Sequence, residues 1–246
     1  MDRMLYIAMT GARESAHSQE VNAHNLANAN TTGFRQSLEG FVNHPMRGPV
    51  YDSRDYVQLQ STEADLTQGP QISTGRNLDV AVQGDGWIAV QGPDGNEAYT
   101  RAGNFQVDSM GLLTTGDGRP VLGDDGPIAI PPFETIEIGG GGTISVRPQG
   151  QEPNVLAEVG RVKLVNPDNE AVSRGEDGLF RRDDGEVEPA DAGVRLSSGV
   201  LEGSNVSTLE AMVNMIELAR NFETQVKLMK TSDDLARTGS QLLRLS

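Results

Sequence analysis

The 246-residue sequence predicts an α+β protein in which a helix at each end flanks a central all-β domain. Near both ends, apolar residues recur at alternating steps of four and three, the spacing of a coiled-coil seam. Between them, short apolar runs alternate with turns that contain Gly and Pro, as in antiparallel β structure. Because neither helix can bury its apolar stripe alone, we expect the two helices to pair as an antiparallel coiled coil.

The N-terminal helix and the turn that follows it are predicted from the first residues of the chain. Most residues of its seam are small, which allows a partner helix to approach closely. Asn28 and Thr31 are polar turn formers, Gly33 suits a left-handed cap, and Phe34 anchors the exit from the helix. The predicted seam consists of Leu5, Met9, Ala12, Ala16, Gln19, Ala23 and Leu26.

The central region reads as β structure with regular turns. Leu78–Val82 alternates between apolar and polar residues, and Trp87–Val90 follows a Gly-Asp-Gly turn. The segment Pro93–Asn96 predicts a hairpin turn, because Pro presets one dihedral angle and Gly permits a positive one. Val159–Val165 is predicted to be the longest strand, and Gly139–Gly142 a mobile connection.

The C-terminal helix is predicted to begin at a capping box, Ser207-Thr208-Leu209-Glu210. In this motif the Ser hydroxyl accepts a hydrogen bond from a free backbone N–H, and the Glu side chain reaches back. Ile216 widens the apolar stripe in the first half of the helix. The predicted seam consists of Met212, Met215, Ala219, Phe222, Val226, Met229, Ala236 and Leu243, and it is interrupted at Asp233 and Ser240.

These patterns divide the chain into five segments. The predicted segments are the N-terminal helix at 1–35, an extended linker at 36–77, a β-rich domain at 78–185, a linker at 186–206 and the C-terminal helix at 207–246.

Composition and charge exclude several classes of function. The formal net charge is −15, which disfavours nucleic acid or an anionic membrane as partner, because binding to phosphate needs clustered Lys and Arg. The absence of cysteine excludes disulfides, thiolate metal sites and cysteine nucleophiles. No apolar run has the length of a membrane span, and the first apolar run is too short for a cleaved signal peptide.

A search for chemistry among the residues predicts no catalytic, cofactor-binding or metal-binding site. The histidines are His17, His24 and His44, so the β region lacks the histidine of a Ser-His-Asp site. The glycines at 84–86 and 139–142 lack the spacing of dinucleotide and phosphate loops. An enzyme remains as an alternative, a cell-wall hydrolase on a β scaffold, since a glycosidase-like pair of carboxylates has no sequence signature.

Three blocks of sequence resemble the flagellar rod and hook protein family. The first runs from Asn25 to Arg35, the second from Leu78 to Trp87 and from Tyr99 to Phe105, and the third begins at Leu201. The third block contains Asn205, then Met215 and Ile216, and then Arg220 and Phe222 within Arg-Asn-Phe-Glu. The blocks cover both ends of the chain and the first half of the middle, in the order that the family has them.

The resemblance implies a structural subunit of the bacterial flagellar rod, the drive shaft between the motor and the hook. It implies polymerisation through the terminal helices in an inner tube, with the β domain outside and Dc-like linkers near 36–77 and 186–203. The implied partners are the protein itself, neighbouring proximal- and distal-rod subunits, and the flagellar type III export apparatus in transit. The implied location is the periplasmic part of the basal body, reached without a cleaved signal peptide.

Two segments favour the proximal-rod member of the family. The opening residues 1–12 and the segment Lys163–Asp168 are similar to that member. A distal-rod or hook-type subunit of the same family is the alternative, although the chain is short for a hook protein, which has an added outer domain.

Overall fold

The computed structural model describes residues 2–45, 55–148, 156–168 and 171–245. Within these, the backbone alone is described for 2–4, 40–45, 55–62, 236 and 239–245. The described residues form a helix near each end of the chain and β strands between them, which confirms the predicted α+β class.

The helices are α1 (Asp2–Ala27) and α2 (Thr208–Leu245). The strands are β1 (Ser37–Pro45), β2 (Asp55–Ala64), β3 (Gln71–Ser73), β4 (Val80–Gln83), β5 (Trp87–Gln91), β6 (Glu97–Thr100), β7 (Gln106–Val107), β8 (Leu113–Thr114), β9 (Leu122–Gly123), β10 (Gly126–Pro127), β11 (Phe133–Ile138), β12 (Thr143–Pro148), β13 (Ala157–Arg161), β14 (Leu164–Val165), β15 (Val172–Arg174), β16 (Phe180–Arg182), β17 (Arg195–Ser198) and β18 (Val200–Glu202).

The chain folds into two compact units that interleave along the sequence. Unit 1 comprises Met1–Asn28, Ser37–Asp65 and Val206–Ser246, and unit 2 comprises Ala29–Gln36 and Leu66–Asn205. The predicted segment boundaries follow a different scheme, in which 36–77 is a linker, and they stay a prediction.

Unit 1 contains both helices and the antiparallel pair β1–β2. The pairing runs from Ser37 opposite Ala64 to Pro45 opposite Asp55. Asn25 joins this pair to α1, because its Nδ2 donates to the carbonyl of Ser37 and its Oδ1 accepts from the Ser37 N–H, each at 2.9 Å. The helix side chain thereby satisfies both backbone groups of the first strand residue.

Small and polar residues form the face at which α1 and α2 meet. Asn22 Nδ2 donates to the carbonyl of Ala211 at 2.7 Å, and a Cβ at Gly11 would lie 3.1 Å from Gln225. The buried helix residues are Ala8, Ala12, Asn25, Ala211 and Ser232.

The predicted start of α2 is confirmed at its hydroxyl cap. Ser207 precedes the helix, and its Oγ accepts a hydrogen bond from the backbone N–H of Glu210 at 3.4 Å. This bond satisfies one of the free N–H groups that every helix has at its N-terminus.

Unit 2 is built around a mostly antiparallel β core. Its largest sheet has the order β14-β5-β6-β16-β15, and β11, β12 and β13 form a second sheet. The predicted hairpin between β5 and β6 is present, with the N–H of Gly92 bonded to the carbonyl of Asn96 at 2.8 Å and a φ of 81° at Gly95. Core residues of this unit include Val80, Val82, Ile88, Val90, Phe105, Leu113, Val121, Ile144, Val146 and Leu196.

The prediction of one long strand at Val159–Val165 is wrong. The segment divides between β13, which pairs with β12, and β14, which pairs with β5 in the other sheet. Between the two strands, the N–H of Val162 bonds to the carbonyl of Gly142 at 2.8 Å. An alternating pattern suits both sheets equally, so only the partner strands decide where the chain passes from one sheet to the other.

The four glycines at 139–142 form a hydrogen-bonded turn between β11 and β12. The N–H of Gly142 bonds to the carbonyl of Gly139 at 2.9 Å, and Gly142 has a φ of 83°. The mobile connection that we expected is therefore a defined hairpin turn.

A partly exposed ion network lies beside the largest sheet. Asp177 Oδ2 lies 2.7 Å from Arg181 Nη2 and 3.5 Å from Arg119 Nη1. The hydrogen bonds from Arg181 lower the pKa of Asp177 to about 2, although burial acts in the opposite direction. Since the pKa is lower in the folded state, this carboxylate stabilises the fold above pH 4 and ceases to do so as the pH falls toward 2.

We expect Asp177→Asn to lower the free energy of unfolding at pH 7 by about 1 kcal/mol, a figure reduced for the partial exposure of the group. The difference from the unmodified protein should shrink as the pH falls from 4 toward 2. Urea unfolding at successive pH values measures it, and Asp125→Asn, at an exposed position, is the control. A difference that stays constant down to pH 3 would contradict the assignment.

Candidate assembly surface

The first turns of α1 expose large apolar side chains. Leu5, Tyr6, Ile7 and Met9 are between 41% and 57% exposed. Isolated exposed apolar residues are common on soluble proteins, but a cluster of four in consecutive turns is typical of an interaction surface.

The first half of α2 exposes an apolar face of its own. Leu209, Met212, Val213 and Ile216 are between 49% and 76% exposed. Their spacing places them on one side of the helix, and we call these four residues the α2 outer face. Further along α2, Phe222, Leu228 and Leu235 are also exposed.

The predicted seam residues divide between the inner and the outer sides of the helices. Those that are buried or half-buried are Ala12, Leu26, Met215, Ala219, Val226 and Met229. Gln19 is also half-buried. The exposed seam residues are Leu5, Met9, Ala16, Ala23, Met212 and Phe222. Ile216 and Arg220, which the sequence names beside the seam, are exposed too, and the side chains of Ala236 and Leu243 lie outside the described residues. Ala8 and Ala211 are buried, whereas Leu5 and Met212 are exposed, and the seam as a whole stays a prediction.

The end of the first family block, at residues 33–35, meets the start of the third, at residues 202–205, within unit 2. The N–H of Gly33 donates to the carbonyl of Glu202 at 2.8 Å, and the N–H of Asn205 donates to the carbonyl of Phe34 at 3.3 Å. Phe34 is buried, and the guanidinium carbon of Arg174 lies 4.5 Å from the centre of its ring. Gly33, Phe34 and Asn205 lie close together, whereas Thr31 is exposed and Asn28 is half-buried. A role of these five motif residues in assembly stays a prediction from the sequence.

Three charged side chains are buried at this meeting point. Arg35 Nη2 lies 2.6 Å from Glu202 Oε1, and Arg101 Nη1 lies 3.2 Å from Glu202 Oε2. The side chains of all three residues are at most 3% exposed. Burial lowers the pKa of Arg101 from its ordinary value, and the charge of Glu202 opposes that shift.

Asn205 completes the arrangement with its side-chain amide. Its Oδ1 accepts from the N–H of Gln36 at 2.7 Å, and its Nδ2 donates to the carbonyl of Thr67 at 3.1 Å. Gln36 and Asn205 are the last residues of unit 2 before the chain continues into unit 1, and Thr67 lies just after the chain has returned. We call Arg35, Arg101, Glu202 and Asn205 the junction cluster.

Two glycines at the junction have no room for a side chain. A Cβ at Gly33 would lie 2.3 Å from the carbonyl carbon of Arg101, and the φ of Gly33 is +69°. A Cβ at Gly69 would lie 2.1 Å from the carbonyl oxygen of Gly203. Both positions require glycine because backbone passes directly against backbone.

Sequence reasoning missed the pairing of Arg35, Arg101 and Glu202. Each of the three belongs to a motif that had been singled out, but Arg35 and Glu202 are 167 positions apart. The available signal was the charged residue that each of these three Gly-containing motifs contains. That signal does not show which of the residues pair with each other.

The described residues contain neither a cluster of metal ligands nor a helix that could cross a membrane. Among the described residues, no three His, Cys, Asp or Glu side chains lie close enough to hold a metal ion. In the same part of the chain, neither helix combines the length and the apolar character needed to cross a membrane.

Comparison with known proteins identifies the family. Models of three domains match: the flagella basal body rod protein at residues 5–35, the flagellar hook protein FlgE/F/G D1 domain at 81–146, and the flagellar basal body rod FlgEFG protein C-terminal domain at 197–242. The flagellar basal-body rod protein FlgF of Escherichia coli strain K12 is 46% identical over the whole of both chains. The chain belongs to the flagellar basal-body rod protein family.

Within this rod protein family, the similarity is higher to two FlgF proteins than to a FlgG protein. FlgF of Salmonella typhimurium strain LT2 is 45% identical over the full length of both chains. FlgG of Bacillus subtilis strain 168 is 32% identical, and the match covers 96% of this chain and 97% of that protein. The resemblance to the FlgF member is confirmed, and the relatives are structural rod proteins and not enzymes.

We expect Gly69→Ala to destabilise the protein by about 2 kcal/mol, because the added methyl group forces the backbone of Gly203 away. The melting temperature should fall by roughly 4–8 °C in thermal unfolding followed by circular dichroism. Gly160→Ala is the matched control, since a Cβ there would lie 3.7 Å from its nearest neighbour. Equal melting temperatures for the two variants would contradict the close approach at Gly69.

Proposed function

We propose that this chain is a structural subunit of the bacterial flagellar rod, at the position of FlgF in the proximal rod. It assembles with copies of itself and with other rod proteins through the exposed apolar residues of α1 and α2. The observation that supports this most directly is the α2 outer face, whose four large apolar side chains lie in solvent in the single chain.

Burial of these side chains between subunits supplies the free energy of assembly. A fully buried Leu, Ile or Met side chain gains about 1.5–3 kcal/mol relative to an exposed one. Four such side chains on α2 and four on α1 therefore give ample driving force for association, even after the cost of ordering the subunits. Each surface meets a different surface of the next subunit, and such heterologous contacts build an open helical filament.

Antiparallel pairing of α1 and α2 as a coiled coil belongs to the same proposal. Gly11 lies near Gln225, and Asn22 lies near Ala211, so residues later in α1 meet residues earlier in α2. The small residues Ala8 and Ala12 allow the helices to approach closely. Such a pair presents its large apolar residues outward, to neighbouring subunits.

The remaining features of the proposal follow from the family. The subunit acts without catalysis, lies in the periplasmic part of the basal body, and reaches it through the flagellar type III export apparatus. Its helices form an inner tube, and its β-rich part lies outside. A distal-rod or hook-type role is the competing assignment, and the position of labelled subunits in purified basal bodies distinguishes the two.

We expect Ile216→Asp to abolish swimming and rod completion, because a carboxylate in the α2 outer face would be buried without a partner in the assembly. Swimming of a complemented deletion strain and electron microscopy of isolated basal bodies measure this. The purified variant should keep the near-ultraviolet circular dichroism of unit 2, which contains Trp87.

Asn214→Asp is the matched control, because it adds the same charge two residues away at an exposed polar position. Normal swimming is expected for this variant. If both variants swim normally, the α2 outer face is not an assembly surface.

A further inference from the structure

The first and third family blocks contain residues that have no part in the proposed assembly surface. Gly33, Phe34 and Asn205 are not among the exposed apolar residues of the helices, and they contact each other's segments within unit 2. Phe34, Arg35, Glu202 and Ser204 are each at most 7% exposed in the single chain. Side chains buried in this way have no surface left to offer a neighbouring subunit.

We infer that the junction cluster is a clamp within unit 2 of one subunit. It holds at a fixed spacing three crossings, which are the points where the chain passes from one unit to the other. Asn205 bonds to Gln36 on one side and to Thr67 on the other, so its amide bridges the crossings at 36/37, 65/66 and 205/206. Glu202 lies three residues before the last of these crossings. It bonds to Arg35, beside the first crossing, and to the N–H of Gly69 at 3.2 Å.

The charge balance makes Glu202 the necessary member of the clamp. Two buried guanidinium groups share this one carboxylate, and Arg35 Nε, Arg35 Nη1 and Arg101 Nε have no hydrogen-bond partner among the described residues. The ring of Trp87, 5.2 Å from the guanidinium of Arg101, gives a weak additional interaction. Removal of the carboxylate therefore leaves two buried cations without a hydrogen-bonded counter-charge, which is much more costly than the loss of an exposed ion pair.

The backbone packs closely around the clamp, which leaves little room for other arrangements of these segments. Gly33 fits only with its N–H on the Glu202 carbonyl and its α-carbon against the Arg101 carbonyl. Arg174 stacks on Phe34 and also donates to the carbonyl of Arg35 at 3.2 Å. Four segments distant in sequence thus close together, and the clamp forms only when residues near both ends of the chain are in place.

The consequence for a rod subunit rests on the proposed function. A force that reaches unit 2 along one crossing peptide is transmitted to the others through the clamp. The residues of the junction cluster then act within the subunit, where they fix the spacing of these points of the chain.

Hydrogen exchange of the dilute, full-length protein tests the clamp before any assembly. The amides of Gly33 and Gly69 should exchange slowly, and Glu202→Gln should speed their exchange by about a hundredfold while the amides of β5 and β6 are unchanged. Glu97→Gln is the matched control, because Glu97 pairs with the single cation Lys163 at 2.8 Å. It should leave the amides of Gly33 and Gly69 protected.

A second pair of variants keeps the test decisive if Glu202→Gln fails to fold. Asn205→Asp retains the oxygen that accepts from Gln36, whereas Asn205→Ala removes it. The amide of Gln36 should stay protected in the first variant and exchange faster in the second. Equal protection in the two variants would overturn the role of Asn205.

Different experimental results would overturn the clamp and the proposed function. Amides of Gly33 and Gly69 that are protected only in assembled rods, or that stay protected in Glu202→Gln, overturn the clamp and leave the assembly surface untouched. Normal swimming of Ile216→Asp overturns the assembly surface and leaves the clamp untouched.

Discussion

One buried carboxylate organises the part of unit 2 where residues 33–36 and residues 202–205 meet. Glu202 pairs with Arg35 and Arg101 and accepts from the backbone of Gly69, so it links four segments of unit 2. A buried charge is tolerated only when partners surround it, and this requirement sets the positions of the peptides that bear those partners. The glycines at 33 and 69 follow from the same constraint, because the segments must approach until backbone touches backbone.

The helices of unit 1 differ from a conventional core in which side chains they bury. The alanines Ala8, Ala12 and Ala211 are buried, whereas Leu209, Met212 and Ile216 are at least half exposed. A protein that acted as a monomer would gain stability by reversing this arrangement, since large apolar side chains contribute most when buried. The distribution is explained if neighbouring subunits cover the outer side chains. Unit 2, in contrast, has a conventional β core, in which the large apolar side chains are buried.

The periodicity of the helices predicted their existence but not their contact face. The spacing of four and three fits more than one row of residues on a helix, so periodicity alone does not decide which row meets the partner. In the structure Ala12 is buried, whereas Leu5, Met9 and Met212 are exposed. Burial in this pair depends on how closely the helices approach, and a row of large side chains would keep them apart. The same ambiguity explains the error at Val159–Val165, where one alternating run serves two sheets.

The sequence by itself determined the helices at both ends, the β character of the middle, the hairpin at Pro93–Asn96 and the family, because these depend on local periodicity, turn chemistry and contiguous motifs. It also drew attention to Gly33, Phe34 and Asn205, the residues around which the junction forms. Only the tertiary structure decided that Arg35, Arg101 and Glu202 share one buried site and that the largest apolar residues of the helices face outward. The physical reason is that electrostatic pairing and burial depend on distances between residues far apart in the chain, and a single sequence contains no record of those distances.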